Sequence, residues 1–141
     1  MKRRSFKSAQ AGLTLVEIIV VLVILSLLMG FLANNLFSAG DKAKAGINEL
    51  QMKRLQQHIN QYQLRYNSLP GSIRDLISCN DQTGPNCLPV ADSEDDLRDP
   101  WGTEYQYTLE NGGRSYSITS LGANRVQGGT GAESDFSVKG P

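Results

Sequence analysis

The sequence predicts an α+β protein. A long N-terminal α-helix, transmembrane in its first part and amphipathic in its second, packs on a small antiparallel β-sheet. Three observations predict this. Residues 13–33, LTLVEIIVVLVILSLLMGFLA, form an apolar run of the ~20 residues a helix needs to cross a bilayer. Beyond it, apolar side chains recur at helical spacing as far as Tyr66. In the last third, the alternating segments TEYQYTLE and RSYSITSL are separated by NGG, a hairpin signal.

The leader comes first. Lys2, Arg3, Arg4 and Lys7 precede the apolar run, so the leader stays cytoplasmic and the rest of the chain faces the periplasm or the exterior. A cleaved secretory signal is the rival reading. Its apolar region spans only about 7–15 residues and ends in a small-x-small site. Here the run is longer, and the Ala11-Gly12 pair stands before it rather than after. A cut there would lie on the cytoplasmic side and leave the helix in place.

Glu17 interrupts the apolar run near its start. A carboxylate at the centre of a membrane helix costs on the order of 2.5–3.5 kcal/mol, so an intramembrane acid calls for a partner cation. Residues 8–41 contain no Lys, Arg or His. Cutting after Gly12 would supply one cation, the α-amino group of Leu13. Neighbouring subunits could then present one chain's amine to the next chain's Glu17. The plain alternative is a Glu17 near enough to the membrane edge to be solvated and inert.

GLTLVEI at 12–18 resembles the processing signature of type IV pilins and pseudopilins. The resemblance implies that a prepilin peptidase cuts after Gly12, that the new N-terminus on Leu13 is N-methylated, and that Glu17 pairs with an N-terminus during filament assembly. Leu13 stands where the family most often has Phe or Met. Many members also carry a proline near the position of Asn34; here Gly30, Asn34 and Asn35 are only weak points in the helix. Three segments follow: a leader at 1–12, a transmembrane and assembly half-helix at 13–36, and a periplasmic pilin-like domain at 37–141.

The helix continues past the membrane. Ile47, Leu55, His58, Ile59, Tyr62 and Tyr66 fall in one stripe, and Lys53, Gln56, Gln57 and Asn60 fall opposite. A helix over 13–66 would be about 80 Å long. Asn67, Pro70 and Gly71 stop it. Ser72 then caps a short second helix with Ile73, Leu76 and Ile77 on its apolar side.

Cys79 and Cys87 flank NDQTGPN, which is dense in turn formers, so the ends can meet. A structural disulfide closing a short loop is expected in an oxidising compartment, with two free thiols as the alternative. The next stretch, DSEDDLRD at 92–99, reads as a solvated acidic loop. The two strand candidates then alternate Tyr105, Tyr107 and Leu109, and Tyr116, Ile118 and, with a slip, Leu121. A short last strand, DFSV, closes the chain after the Gly-rich VQGGTGAES.

LRDPWGTEYQY at 97–107 and SLGANRVQGGTGAESDF at 120–136 resemble the major (G-type) pseudopilin of the type II secretion system. In the Asp-Pro-Trp-Gly segment, Pro100 and Gly102 shape a turn and Trp101 fills the gap between helix and sheet. The resemblance implies calcium in the loop after the second strand. Its candidate ligands are the carbonyls of Leu121 and Val126 and the side chains of Asn124, Glu133 and Asp135. Ordering a glycine-rich loop costs conformational entropy that a hard cation gathering oxygens can offset. The family usually has Asp-Gly where this chain has Asn124-Arg125, which removes one negative charge and adds a positive one. Two outcomes are expected: a weak calcium site, or a site replaced by a salt bridge from Arg125 to Glu133 or Asp135.

Other functions fit poorly. Lys plus Arg and Asp plus Glu number 14 each, but residues 13–141 hold ten basic and fourteen acidic side chains, a net −4. Nucleic-acid binding needs clustered positive charge and is not expected. One His, His58, leaves no nucleophile–His–acid set, so no enzyme is expected. The resemblance implies a homopolymeric subunit of a periplasmic pseudopilus that drives export of folded proteins. It is anchored in the inner membrane by a single span and meets minor pseudopilins and an inner-membrane assembly platform. A type IV pilin or a DNA-uptake pseudopilin is the alternative, and the cysteine pair leans that way.

Overall fold

The computed structural model describes residues 14–141. Gly12 and Leu13, the processing positions, lie outside the described residues. The first element is the helix α1, Leu15–Tyr66. Its sequence contains no proline, and Gly30, Asn34 and Asn35 do not break it. The chain divides into two units, Met1–Ser38 and Ala39–Pro141.

In the first unit the helix has an apolar window of mean hydropathy 3.0, none of it buried by the rest of the chain. By length and hydropathy this stretch is able to cross a bilayer. Two of its polar side chains are satisfied locally. Ser26 Oγ donates to the Leu22 carbonyl at 2.7 Å and Asn35 Nδ2 to the Phe31 carbonyl at 3.1 Å. Both bonds fit a low-dielectric surrounding, where an unpaired polar group is costly.

In the second unit α1 buries Asn48, Met52, Leu55, Ile59 and Tyr62. The spacing of four and three residues defines one helical face. The stripe expected from the sequence is corrected at its start. Ile47 is 49% exposed, and Asn48 and Met52 take the inward positions. Consecutive residues point about 100° apart on a helix, so Ile47 cannot share the face of Met52 and Leu55. Gln56, expected on the solvent side, donates its amide to the Lys139 carbonyl at 3.3 Å. The helix ends where Asn67 turns left-handed (φ 54°), its N–H bonded to the Gln63 carbonyl at 2.8 Å. Asn tolerates that conformation at a helix C-terminus.

The second helix is a single 3₁₀ turn, Ile73–Leu76. Ser72 caps it, and Asp75 Oδ2 accepts the Ser72 N–H at 2.9 Å. Ile73 and Leu76 are buried. A second 3₁₀ turn, Glu94–Leu97, lies in the acidic run, which is therefore more than a solvated loop. Asp96 Oδ2 accepts the N–H groups of Asp92 and Ser93, and Asp99 is buried.

Three strands follow: β1 Gln106–Glu110, β2 Ser115–Ser120 and β3 Phe136–Gly140. They form one antiparallel sheet in the order β1-β2-β3. Asn111, Gly112 and Gly113 all take positive φ in the β1–β2 turn. Tyr107 pairs with Ile118, and Ile118 with Val138. The expected slip to Leu121 does not occur. The inward alternation of β2 runs Tyr116, Ile118, Ser120. The third inward place falls to a serine because its hydroxyl has a buried partner, Asp99. Leu109 sits at the sheet margin, 37% exposed. The core joins Met52, Leu55, Ile59 and Tyr62 of α1 to Leu76, Leu97, Tyr105, Tyr116 and Ile118.

Candidate assembly and loop sites

Glu17 lies in the first turn of α1 and is exposed. Its backbone N–H bonds to Thr14 Oγ1 at 3.2 Å, and the Ile18 N–H bonds to the Thr14 carbonyl at 3.3 Å. Thr14 therefore caps the helix, and Glu17 falls where a helix dipole favours negative charge. This local role did not emerge from the apolar pattern. The Thr-x-x-Glu spacing is its sequence signal.

Cys79 and Cys87 are joined in a disulfide, with their Cα atoms 5.5 Å apart. The loop between them is organised by Asn80. Its Oδ1 accepts the N–H groups of Gln82 and Thr83, each at 3.0 Å, and its Nδ2 donates to the Tyr62 hydroxyl at 3.3 Å. Arg65 reaches the Leu88 carbonyl at 2.7 Å. Beyond the loop, Val90 and Ala91 both donate to the Leu76 carbonyl. The loop is thus fastened to the C-terminal end of α1.

The residues around the Asp-Pro-Trp-Gly turn converge on Trp101. Asp99 Oδ1 accepts the N–H groups of Trp101 (3.1 Å) and Thr103 (2.8 Å), and Oδ2 accepts from Ser120 Oγ at 2.8 Å. The Trp101 ring is 7% exposed and stacks on Phe136, with centroids 6.3 Å apart. Its indole N–H donates to Asp41 Oδ1 on α1 at 3.1 Å. Trp101 fills the gap between helix and sheet as the sequence suggested. The sequence does not mark Asp41 and Asp99 as its partners, nor Ser120 as the partner of Asp99. An Asx turn is legible in Asp-Pro-Trp, but partners 60 and 21 residues away in sequence are not.

A buried polar pair lies beside this cluster. The Tyr105 hydroxyl donates to Asn48 Oδ1 at 2.8 Å. Burial, with a smaller contribution from the Asp99 charge, holds the Tyr105 phenol well above its ordinary range.

The long loop at 121–135 closes on itself. The Ala123 N–H bonds to the Ala132 carbonyl at 3.0 Å, and the Gly128 N–H to Asp135 Oδ2 at 3.1 Å. Asn124 spans the loop: its Oδ1 accepts the Val126 N–H at 3.1 Å and its Nδ2 donates to the Gly128 carbonyl at 3.3 Å. Gly122 has φ +70°, and a Cβ there would stand 2.7 Å from the Ser134 carbonyl oxygen. Only glycine fits that approach. Asp135 Oδ1 is buried and has no hydrogen-bond partner. Glu133 is exposed.

Arg125 corrects one expectation. Its guanidinium does not pair with Glu133 or Asp135; among the described residues the ion pairs are those of Lys53, Arg74 and Lys139. Instead Arg125 Nη2 donates to the Trp101 carbonyl at 2.8 Å. A backbone carbonyl at the buried turn is a fixed, directional acceptor, whereas Glu133 extends into solvent.

A long helix that is apolar in its first half and carries a three-stranded antiparallel sheet on its second defines a pilin-like protein. Residues 35–139 match the family described as type II secretion system protein G, and residues 7–33 match the prokaryotic N-terminal methylation motif. The chain belongs to the type II secretion system protein G family. It is similar to the type II secretion system core protein G of Xanthomonas campestris, 29% identical over 138 residues, covering 95% of this chain and 93% of that one. The core protein G of Pseudomonas aeruginosa is 29% identical over 141 residues, covering 96% of each chain. That of Pectobacterium carotovorum is 32% identical over 124 residues, covering 84% of this chain and 80% of its own. The family match runs through the disulfide loop, so the cysteine pair does not move the chain to the pilins.

Proposed function

We propose that this chain is the major structural subunit of a periplasmic pseudopilus, polymerising to drive export of folded proteins through a type II secretion system. The observation that carries this is the pairing of the protein G match over 35–139 with the methylation motif over 7–33. A prepilin peptidase cuts after Gly12 and the Leu13 amine is methylated. The subunit waits in the inner membrane as a single span with its second unit in the periplasm. It joins copies of itself, primed by minor pseudopilins on an inner-membrane platform. The amine of one subunit meets Glu17 of another, so an intramembrane carboxylate gains its cation only on assembly. The exposed position of Glu17 in the first turn is compatible with that contact.

Two measurements on the full chain test this. The mature N-terminus should read from Leu13, whereas a start beyond residue 30 would rule out the pilin-like path. Glu17→Ala should leave membrane insertion intact and abolish incorporation into fibres. Fibres formed by that variant at the normal level would sink the role given to Glu17.

The loop at 121–135 is proposed to bind calcium weakly. Every candidate donor is an oxygen, which suits a hard cation: the carbonyls of Leu121 and Val126 and the side chains of Asn124, Glu133 and Asp135. The buried, unpartnered Asp135 Oδ1 supports the reading, because such an atom costs free energy until something fills its place. Asn124 Oδ1 already accepts one N–H but keeps a second lone pair. With Asn in place of an acid, the site falls toward the millimolar end of calcium affinities. Bound calcium would supply the positive charge that holds the loop's oxygens together.

A further inference from the structure

We propose that Arg125 is a built-in latch for the 121–135 loop, tying it to the Asp-Pro-Trp-Gly turn whether or not calcium is bound. The inference deepens the reading of the loop above but does not need that reading to be right.

Both ends of the loop meet at one residue. Near the start, Arg125 Nη2 donates to the Trp101 carbonyl at 2.8 Å. At the end, Phe136 stacks on the Trp101 ring. Trp101 is itself immobilised on three sides: its N–H on Asp99, its indole N–H on Asp41 of α1, and its ring in the core. The Arg125 side chain thus connects a glycine-rich loop, through one buried residue, to the long helix. A charged donor on a fixed carbonyl makes a stronger bond than a neutral one.

The backbone at Arg125 points the same way. Its φ is +59°, left-handed, a conformation that disfavours any residue with a Cβ other than Asn or Asp. Glycines occupy the comparable left-handed positions 122, 128, 129 and 131 in this loop. A non-glycine residue kept where the backbone resists it needs a compensating contact, and the carbonyl of Trp101 provides one.

The latch also changes what calcium meets. Directing the guanidinium to Trp101 keeps its charge off Glu133 and Asp135. Asp135 Oδ1 remains free for a cation while the other side of the loop is already fastened. The wild-type loop should therefore be ordered in chelator, and calcium should add only a modest increment.

The test uses the full chain in detergent micelles, as wild type, Arg125→Ala and Arg125→Gly, each in chelator and in millimolar calcium. Thermal melts and amide exchange resolved to the loop are read together. Alanine retains the left-handed strain and removes only the side chain. In chelator, Arg125→Ala should melt roughly 5 °C lower. Loop amides in both variants should exchange about tenfold faster, as a loss of about 1.4 kcal/mol of local order would give, with the β1–β2 hairpin unchanged. If the loop binds calcium, the metal should raise the wild-type midpoint at least as much as those of the variants, because a loop that is already ordered binds without first having to close. Unchanged loop exchange in both variants in chelator would overturn the latch, whatever calcium does. Faster exchange in the variants with no calcium shift in any protein would uphold the latch and remove the calcium reading alone.

Discussion

At the scale of single residues, two polar side chains, Asp99 and Asn48, anchor buried partners between helix and sheet. Asp99 answers three donors with two oxygens, and Asn48 takes the hydroxyl of Tyr105. Neither was marked by the apolar pattern, because a polar residue in a charged run reads as surface until its partners are known. Gly140 makes a different kind of demand. A Cβ there would collide with the ring carbons and hydroxyl of Tyr116, which is 1% exposed. The ring is held in the core and cannot swing away. Gly140→Ala should cost about 1–3 kcal/mol, the range for overpacking a filled site. Urea unfolding of the full chain in micelles would measure it, and a midpoint within error of wild type would show that the last strand simply moves aside.

At the scale of elements, the helix was the most legible part of the chain. Its apolar run and stripe declare it, and the structure shifts the stripe at Ile47 and turns Gln56 toward the last strand. Asn48, a polar residue in the true inward position, disguised the pattern. The hairpin was equally plain, since NGG supplies residues that accept positive φ where the turn requires it. The third strand runs to Gly140, past the expected DFSV, because pairing with Tyr116 on β2 extends it. The disulfide loop closes on itself and fastens to the rigid end of α1. Its nine-residue closure, Cys79 to Cys87, should stabilise the fold by about 2.5 kcal/mol through the unfolded state. A Cys79→Ser/Cys87→Ser double variant should unfold at a correspondingly lower denaturant midpoint. It should also expose the Tyr62 end of α1 to faster exchange, since Asn80 is held there from within the loop. Exchange at Tyr62 identical to wild type would show that the loop's hydrogen bonds hold without the bridge.

At the scale of the whole molecule, tyrosines link the core to pH. Burial raises the phenol pKa of Tyr105, Tyr107 and Tyr116 above the ordinary value. A group whose folded pKa is raised binds its proton more tightly when folded. Its contribution is fully present below the unfolded pKa of about 10 and is lost as pH rises beyond it. Melts at pH 8, 10 and 11 should therefore show a midpoint that begins to fall by pH 10 and falls most in the last step. Tyr105→Phe should flatten part of that fall while costing stability at pH 8, because Asn48 loses its partner. A midpoint independent of pH through 11 would contradict the burial described for these rings.

The sequence by itself determined the class of this protein. A bilayer-length apolar run, an acid within it, a basic leader and two alternating segments are local patterns, and local patterns record which solvent each stretch meets. The segments at 97–107 and 120–136 carried the resemblance further, to a particular secretion family. Tertiary structure alone decided how the loop and turn are held. Trp101 draws Asp41, Asp99, Arg125 and Phe136 together from four separate stretches. The direction of the Arg125 guanidinium, toward a carbonyl and away from the nearby acids, depends on where the backbone of another segment passes. Side-chain charge can be read along a chain, but its partner is chosen by distance, and distance exists only after folding.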